Sequence, residues 1–161
     1  METRTYHRIN KNGGTVKFLY SACDEELVQS HKWYIADGYV LSRIAGRMVR
    51  LHRLLLNLPK DKLIDHIDGN PLNNTRPNLR ECSNAENLMN KGKYANNKSG
   101  YKGVIWHKRD KVWHSCIRSS GKLKHLGVYR CKHLAALAYN KAAIKYHGEF
   151  AHLNFERKAV K

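Results

Sequence analysis

The 161-residue sequence predicts an α+β protein built from two small units. Three observations carry that expectation. Charge is divided unevenly: residues 1–95 hold 15 basic and 10 acidic side chains, net +5, whereas residues 96–161 hold 15 and 3, net +12. Residues 63 to about 90 give strand, loop, strand and helix signals in that order. Residues 103–148 give three short strand candidates and then one helix. The break falls in Lys91–Gly100, a polar stretch without apolar periodicity. The expected boundaries are a first domain over 1–92, a linker over 93–99 and a second domain over 100–161.

The elements follow in chain order. The first part begins as strands: Trp33–Ala36 and Tyr39–Ile44 flank Asp37-Gly38, a favoured two-residue hairpin turn. Gly46 marks another turn before a third strand, Met48–Leu51. His52–Leu58 is a short apolar helix stopped by Pro59. Leu63–Ile67 is a strand, Asp68–Asn74 a loop, and Asn78–Cys82 the return strand. Ser83-Asn-Ala-Glu86 has the form of a capping box, so a helix starts near residue 84. In the second part, strands are expected over Gly103–His107, Val112–Arg118 and Lys122–Tyr129, and a helix over Lys132–Tyr146 ended by Gly148. Three strands cannot bury a core alone, so the helix should cover one sheet face with Leu134, Leu137, Ala138, Ala142 and Tyr146.

Composition excludes several classes. No apolar run approaches the ~20 residues of a bilayer span, and Met1–Lys11 is too polar for a secretory signal. Cys23, Cys82, Cys116 and Cys131 are scattered, which argues against a disulfide framework and for a reducing compartment. With 42% hydrophobic residues, three Trp and nine Tyr, the chain is no disordered tail. A net charge of +17 makes a polyanion the expected partner, nucleic acid first and an anionic membrane surface second.

Asp65, His66, Asn78 and Asn87 carry the chemistry. Adjacent strand residues point to opposite faces, so Asp65 and His66 can present a carboxylate and an imidazole to two sides of one small site. Asn87 lies in the first turn of the following helix, where its amide oxygen could come beside Asp65. A carboxylate and an amide oxygen are hard ligands suited to Mg2+ or Mn2+. Such an ion neutralises charge at a scissile phosphate and at the leaving oxygen, and His66 could deprotonate the attacking water. A zinc site from Cys23 and Cys82 with His52 or His66 lacks ligand spacing and is not expected. His52 reads as a structural histidine that could also approach the phosphate, Asp68-Gly69 as a turn rather than a metal site, and Asn70, Asn73 and Asn74 as turn residues or, less often, backbone contacts. Arg53 and Arg80 are either solvated charges or phosphate clamps.

Leu51-His-Arg-Leu-Leu-Leu, Asp65-His-Ile-Asp-Gly-Asn70, Asn74, Asn78-Leu-Arg80 and Ser83-Asn-Ala-Glu-Asn87 resemble the HNH nucleases of phages and mobile introns. His31-Lys-Trp-Tyr and Gly38-Tyr39 resemble strands that precede the motif in one subgroup, so the similarity covers roughly residues 25 to 90. The resemblance implies a ββα-metal nuclease unit. In it Asp65 and Asn87 are metal ligands, His66 is the general base, and Asn78 fixes the loop and orients the histidine. Asp and Asn stand where the name-giving pattern has two metal-binding His, a variant familiar among phage homing endonucleases.

Lys98-Ser-Gly-Tyr-Lys-Gly-Val-Ile-Trp106, Lys111-Val-Trp113, Ile117-Arg118, Gly121-Lys122, His125-Leu-Gly-Val-Tyr129, Ala135–Tyr139, Ala142-Ala143 and His147–Asn154 resemble an APETALA-type, ethylene-responsive-factor-like DNA-binding domain. That resemblance implies a three-stranded antiparallel sheet packed on one helix, with the sheet entering the major groove. By alternation Trp113, Ser115 and Ile117 should face the helix, and His114, Cys116 and Arg118 the DNA. Lys102, His107 and His125 are then expected near the groove, and Arg109, Lys111, Lys122 and Lys124 near the backbone. Arg118 is the candidate for a guanine edge. Trp106 is divided between core and base stacking.

The expected function is a metal-dependent, site-selective endonuclease acting on double-stranded DNA. One hydrolytic unit cuts one phosphodiester to 5′-phosphate and 3′-hydroxyl ends, so cutting both strands needs a homodimer or successive nicks. The alternative is a DNA-binding regulator with an inactive nuclease domain. The expected setting is the cytoplasm of a bacterial host, encoded by a phage or mobile element, with no membrane association.

Overall fold

A computed structural model describes residues 1–9, 11 and 13–155. The chain divides into two compact units, residues 1–87 and 88–161. The mixed α+β class is borne out, with four small sheets and few helices among the described residues. Among the described residues no helix is long and apolar enough to cross a membrane.

The first unit opens with a hairpin absent from the sequence-based expectation, β1 (Thr3–Ile9) and β2 (Thr15–Ser21). Its alternation is plain in β2, where Val16, Phe18 and Tyr20 turn inward. Tyr6 stands opposite Phe18, and the two rings stack 4.7 Å apart. The short helix α1 (Glu25–Gln29) follows, and its Val28 carbonyl accepts the buried Trp33 indole N–H at 2.8 Å. Strands β3 (Tyr34–Ala36), β4 (Tyr39–Ile44) and β5 (Arg47–Arg50) form an antiparallel meander. Asp37 and Gly38 have φ of 51° and 79°, as a type I′ turn requires, and Ala45-Gly46 repeats the device. Helix α2 (Leu51–Leu56) ends at left-handed Asn57, two residues before Pro59. Leu51 and Leu55 enter a core shared with Tyr6, Phe18, Trp33, Val40 and Leu79.

Strands β6 (Leu63–His66) and β8 (Leu79–Cys82) pair antiparallel. The two-residue β7 (Asn73–Asn74) leaves their connecting loop to join β2 in parallel. The Arg76 guanidinium then clamps the buried Asp24 carboxylate at 2.7–3.0 Å, while Arg76 N donates to Ser21 Oγ. The N-terminal hairpin therefore anchors the loop between β6 and β8. Helix α3 (Asn84–Asn90) begins at a complete capping box: Glu86 N donates to Ser83 Oγ at 3.2 Å, and Ser83 N donates to Glu86 Oε2 at 2.7 Å.

In the second unit β9 (Val104–His107), β10 (Val112–Ser119) and β11 (Lys122–Tyr129) form an antiparallel sheet in the order β11-β10-β9. Helix α4 (Lys132–His147) lies against one face. The stretch expected as a linker ends in order: Asn97 Oδ1 accepts from Ser99 Oγ and Gly100 N, and its amide donates to the Tyr101 carbonyl. The helix stripe needs correction. Leu134 and Leu137 are 54% and 52% exposed, and the buried positions are Ala135, Ala136, Tyr139, Ala142 and Ala143. Alanines bring the helix close to the sheet, so close that a Cβ on Gly103 would sit 2.1 Å from the Tyr139 ring. Helical spacing alone could not separate the two stripes, because α4 is apolar on both sides.

Candidate active site and nucleic-acid face

Strand β6 supplies the two central side chains. Asp65 and His66 are adjacent and both buried, at 6% exposure each. The antiparallel register sets Asp65 opposite Arg80 and His66 opposite Leu79. Arg80 donates from Nε and Nη2 to Asp65 Oδ2 at 3.0 and 2.8 Å. This cation sits beside the carboxylate with only 12% of its side chain exposed. Arg53, the other candidate clamp, donates to the Lys60 and Lys62 carbonyls and so ties down the approach to β6.

The loop after His66 is organised by Asn78. Its Oδ1 accepts from Asp68 N at 3.0 Å, and its Nδ2 donates to Asp68 Oδ1 and the Asn73 carbonyl at 2.9 and 2.8 Å. Asp68 also accepts from Asn70 N and Asn73 Nδ2. Burial alone would raise the Asp68 carboxyl; the donors from Asn70, Asn73 and Asn78 outweigh it and hold the group below its ordinary value.

One hydrogen bond to His66 comes from Asn74, which the sequence places in a turn and among the residues that carry the nuclease resemblance. His66 Nε2 lies 3.4 Å from Oδ1 of Asn74, which is fully buried. Asn74 Nδ2 donates to the Pro71 carbonyl at 3.1 Å, so its oxygen faces the imidazole. The bond therefore takes the tautomer with the proton on Nε2 and the lone pair on Nδ1. Burial pushes the His66 pKa down, only partly offset by Asn74, Asp68 and Asp65. His52 meets His66 edge to face at 5.1 Å, and burial, helped by His66, Arg50 and Arg53, lowers it to about 3. Tyr39 completes this aromatic wall, with the Arg50 guanidinium 4.4 Å over its ring. The motif resemblance includes Asn74, but its contact with His66 depends on the parallel pairing of β7 with β2, which local sequence does not announce.

Asn87 lies on an exposed part of α3, its backbone N–H bonded to the Ser83 carbonyl. Among the described residues no group of three or more His, Cys, Asp or Glu is placed to hold a metal ion. All four cysteines are free. The Asp65 carboxylate and the Asn87 amide each offer oxygen, the donor type that hard divalent ions take.

In the second unit the register sorts the remaining candidates. One sheet face, opposite α4, carries Ile105, His107, His114, Cys116, Arg118, Leu123, His125 and Val128. His107 and His114 stack at 4.9 Å, and His114 meets His125 at 5.2 Å. Arg109 and Lys111 are exposed in the β9–β10 turn, and Lys122 is exposed at the start of β11. Three residues fall elsewhere. Trp106 stands across from Trp113, rings 4.8 Å apart, and so lies on the helix side of the sheet. Lys124 stands across from buried Ile117, with its ammonium 4.2 Å over the Tyr146 ring. Lys102 donates from Nζ to the Met89 and Lys91 carbonyls, and burial lowers its pKa to about 8. These carbonyls belong to the same unit, and the ammonium bonded to them does not join the open face.

Residues 57–89 match the HNH endonuclease family. Over 146 residues the chain is 32% identical to an uncharacterized HNH endonuclease of Acanthamoeba polyphaga mimivirus, covering 86% of this chain and 75% of that protein. It is 36% identical over 94 residues to Protein 3.8 of Escherichia phage T7, covering 58% of this chain and 77% of the relative. Over 57 residues the chain is 44% identical to APETALA2-like protein 2 of Oryza sativa subsp. indica, a match over 35% of this chain and 13% of the plant protein.

Proposed function

The chain belongs to the HNH endonuclease family and is a nuclease, and from that premise we propose that it is a metal-dependent, site-selective endonuclease of double-stranded DNA. The observation that carries the reading is the buried Asp65-His66 pair on β6, backed by Asn74 and closed by the loop that Asn78 pins. Asp65 and Asn87 would hold one Mg2+ or Mn2+ ion. When bound, that ion supplies charge neutralisation at the scissile phosphate and the leaving oxygen. His66 takes the proton of the attacking water at Nδ1 and keeps its Nε2 proton on Asn74. Asn78 acts on the loop that carries this geometry, not on the substrate. Zinc is not the ion of this reading, because the two ligands it assigns, Asp65 and Asn87, offer oxygen and neither thiolate nor imidazole.

The second unit supplies site selection. Its net charge of +12 over residues 96–161 and the face bearing His107, His114, Arg118 and His125 support DNA binding. The one other reading is a DNA-binding regulator with an inactive nuclease domain, to which the basic second unit would be central. Each chain brings one hydrolytic site, so a homodimer or two successive nicks would cut both strands. The phage and viral relatives support a phage- or mobile-element-encoded protein working in the host cytoplasm.

Plasmid nicking in Mg2+ or Mn2+ tests the assignment. Wild type nicks and His66→Ala does not, while both shift the plasmid in a gel. Equal cutting by both removes His66 from its role. Binding by wild type without scission under either ion favours the regulator.

A further inference from the structure

The open face of the second unit's sheet carries a feature that folding does not explain. The core of this unit lies on the other face, where Val104, Ser115 and Ile117 meet α4. Yet Ile105, Leu123 and Val128 stand on the open face at 59%, 65% and 53% exposure. Isolated exposed aliphatics are ordinary; these are ordered. The register puts Ile105 opposite His114 and His114 opposite Val128, so one row crosses the three strands as Ile-His-Val. Further along the same face, beyond Cys116 and His125, Leu123 stands opposite Arg118. Two strand intervals make the row about 10 Å wide. Exposed cations, Arg109 and Lys111 at one end and Arg118 at the other, frame this aliphatic strip.

A surface of this charge calls for a polyanion, and a strip of this width fits a B-form major groove of about 12 Å. That groove offers side chains a single apolar group, the C5-methyl of thymine. Every other edge presents donors or acceptors, which an aliphatic side chain would strip of water without replacing the bond. We propose that Ile105, Val128 and Leu123 read thymine methyl groups, so that the target of this unit carries thymines on both sides of the base pair that His114 meets. The inference rests on the DNA-binding reading above and deepens it by naming what the face recognises. Specificity then comes from contact with methyls as well as from the Arg118 fork, while the flanking cations position the sheet on the phosphates.

The test uses the full chain in EDTA, so that binding is read without cleavage. Duplexes are selected from a pool of random 20-base-pair DNA, and the best binder is remade with deoxyuridine in place of thymidine. The expected result is a thymine-containing consensus and about a 4-fold loss of affinity for each contacted methyl removed. Ile105→Ala and Val128→Ala each weaken the thymidine duplex and leave affinity for the deoxyuridine duplex unchanged. Equal affinity of wild type for the two duplexes, or a consensus without thymine, overturns the inference and leaves DNA binding intact. Failure to bind any duplex at low salt overturns both readings. The wild-type comparison needs no variant, so it decides the matter even where a substitution unfolds the sheet.

Discussion

Asn74 Oδ1 lies 3.4 Å from His66 Nε2, and the Asn74 amide nitrogen is turned away onto the Pro71 carbonyl. The amide therefore acts as an acceptor toward the imidazole and selects the tautomer whose basic nitrogen is Nδ1. It is held there from a distance: β7 pairs with β2, and Arg76, two residues on, is clamped by Asp24. The β1–β2 hairpin thus holds in place the amide that faces a side chain on β6.

Asn74→Ala should lower single-turnover nicking about 100-fold through misorientation of the base. KM should hold, since Asn74 is fully buried and out of a substrate's reach. Loss of the buried amide should also cost about 1–3 kcal/mol, read by urea unfolding. Unchanged kcat in a folded variant would show that His66 needs no such partner.

Stability should fall in acid below about pH 6.5. His52 titrates near 6.5 when unfolded and at about 3 when folded, and His66 is lowered in the same direction. Below the unfolded value the unfolded chain binds more protons, so the contribution present above pH 6.5 is lost progressively down to about pH 3. His52 alone sets a slope approaching about 1.4 kcal/mol per pH unit. Urea midpoints of wild type and His52→Phe across pH 4–7 measure it; equal slopes would remove His52 as the cause. The acid limb of the pH–rate profile should likewise lie below pH 6.5, because burial keeps His66 deprotonated.

Gly103→Ala should destabilise the second unit by at least about 2–3 kcal/mol. Its Cβ would meet Tyr139 Cδ2 at 2.1 Å and the Cys116 carbonyl at 2.5 Å, at a φ of +74°. Gly121→Ala has nearly the same φ, +73°, but nothing within 4 Å, so it should cost only about 1–2 kcal/mol. Thermal unfolding of the pair separates steric overlap from backbone strain; equal losses would mean that strain alone matters.

Leu137→Ser should change stability by less than about 0.5 kcal/mol, since the side chain is half exposed. Tyr139→Ala, two residues on, should cost about 3–5 kcal/mol. The reverse order in urea titrations would restore the Leu stripe to the core.

DNA affinity should fall steeply with salt. Neutralising about six phosphates gives a log–log slope of roughly −5. A flat response in filter binding between 50 and 200 mM salt, a range over which such contacts are released, would contradict a phosphate-binding face.

The sequence by itself determined the local chemistry of this protein. Asp37-Gly38 dictated its hairpin turn, Ser83 and Glu86 their capping box, and Pro59 the end of a short helix, because each depends on backbone dihedrals or on neighbours within a turn. Alternation in β10 likewise sorted Ser115 and Ile117 from His114 and Arg118, since side-chain direction in a strand is a local property. Tertiary structure decided the rest. Which face of α4 is buried depended on how near alanines let it approach the sheet, a matter that helical periodicity leaves degenerate when Leu and Ala occupy both sides. Lys102 and Lys124 carry the same ammonium as Lys111, yet only packing settles which one meets a carbonyl, an aromatic ring or solvent. The contact of Asn74 with His66 was set by a parallel pairing between strands more than fifty residues apart. A chain encodes such pairings only through the sum of its burial free energies, and no single residue announces them.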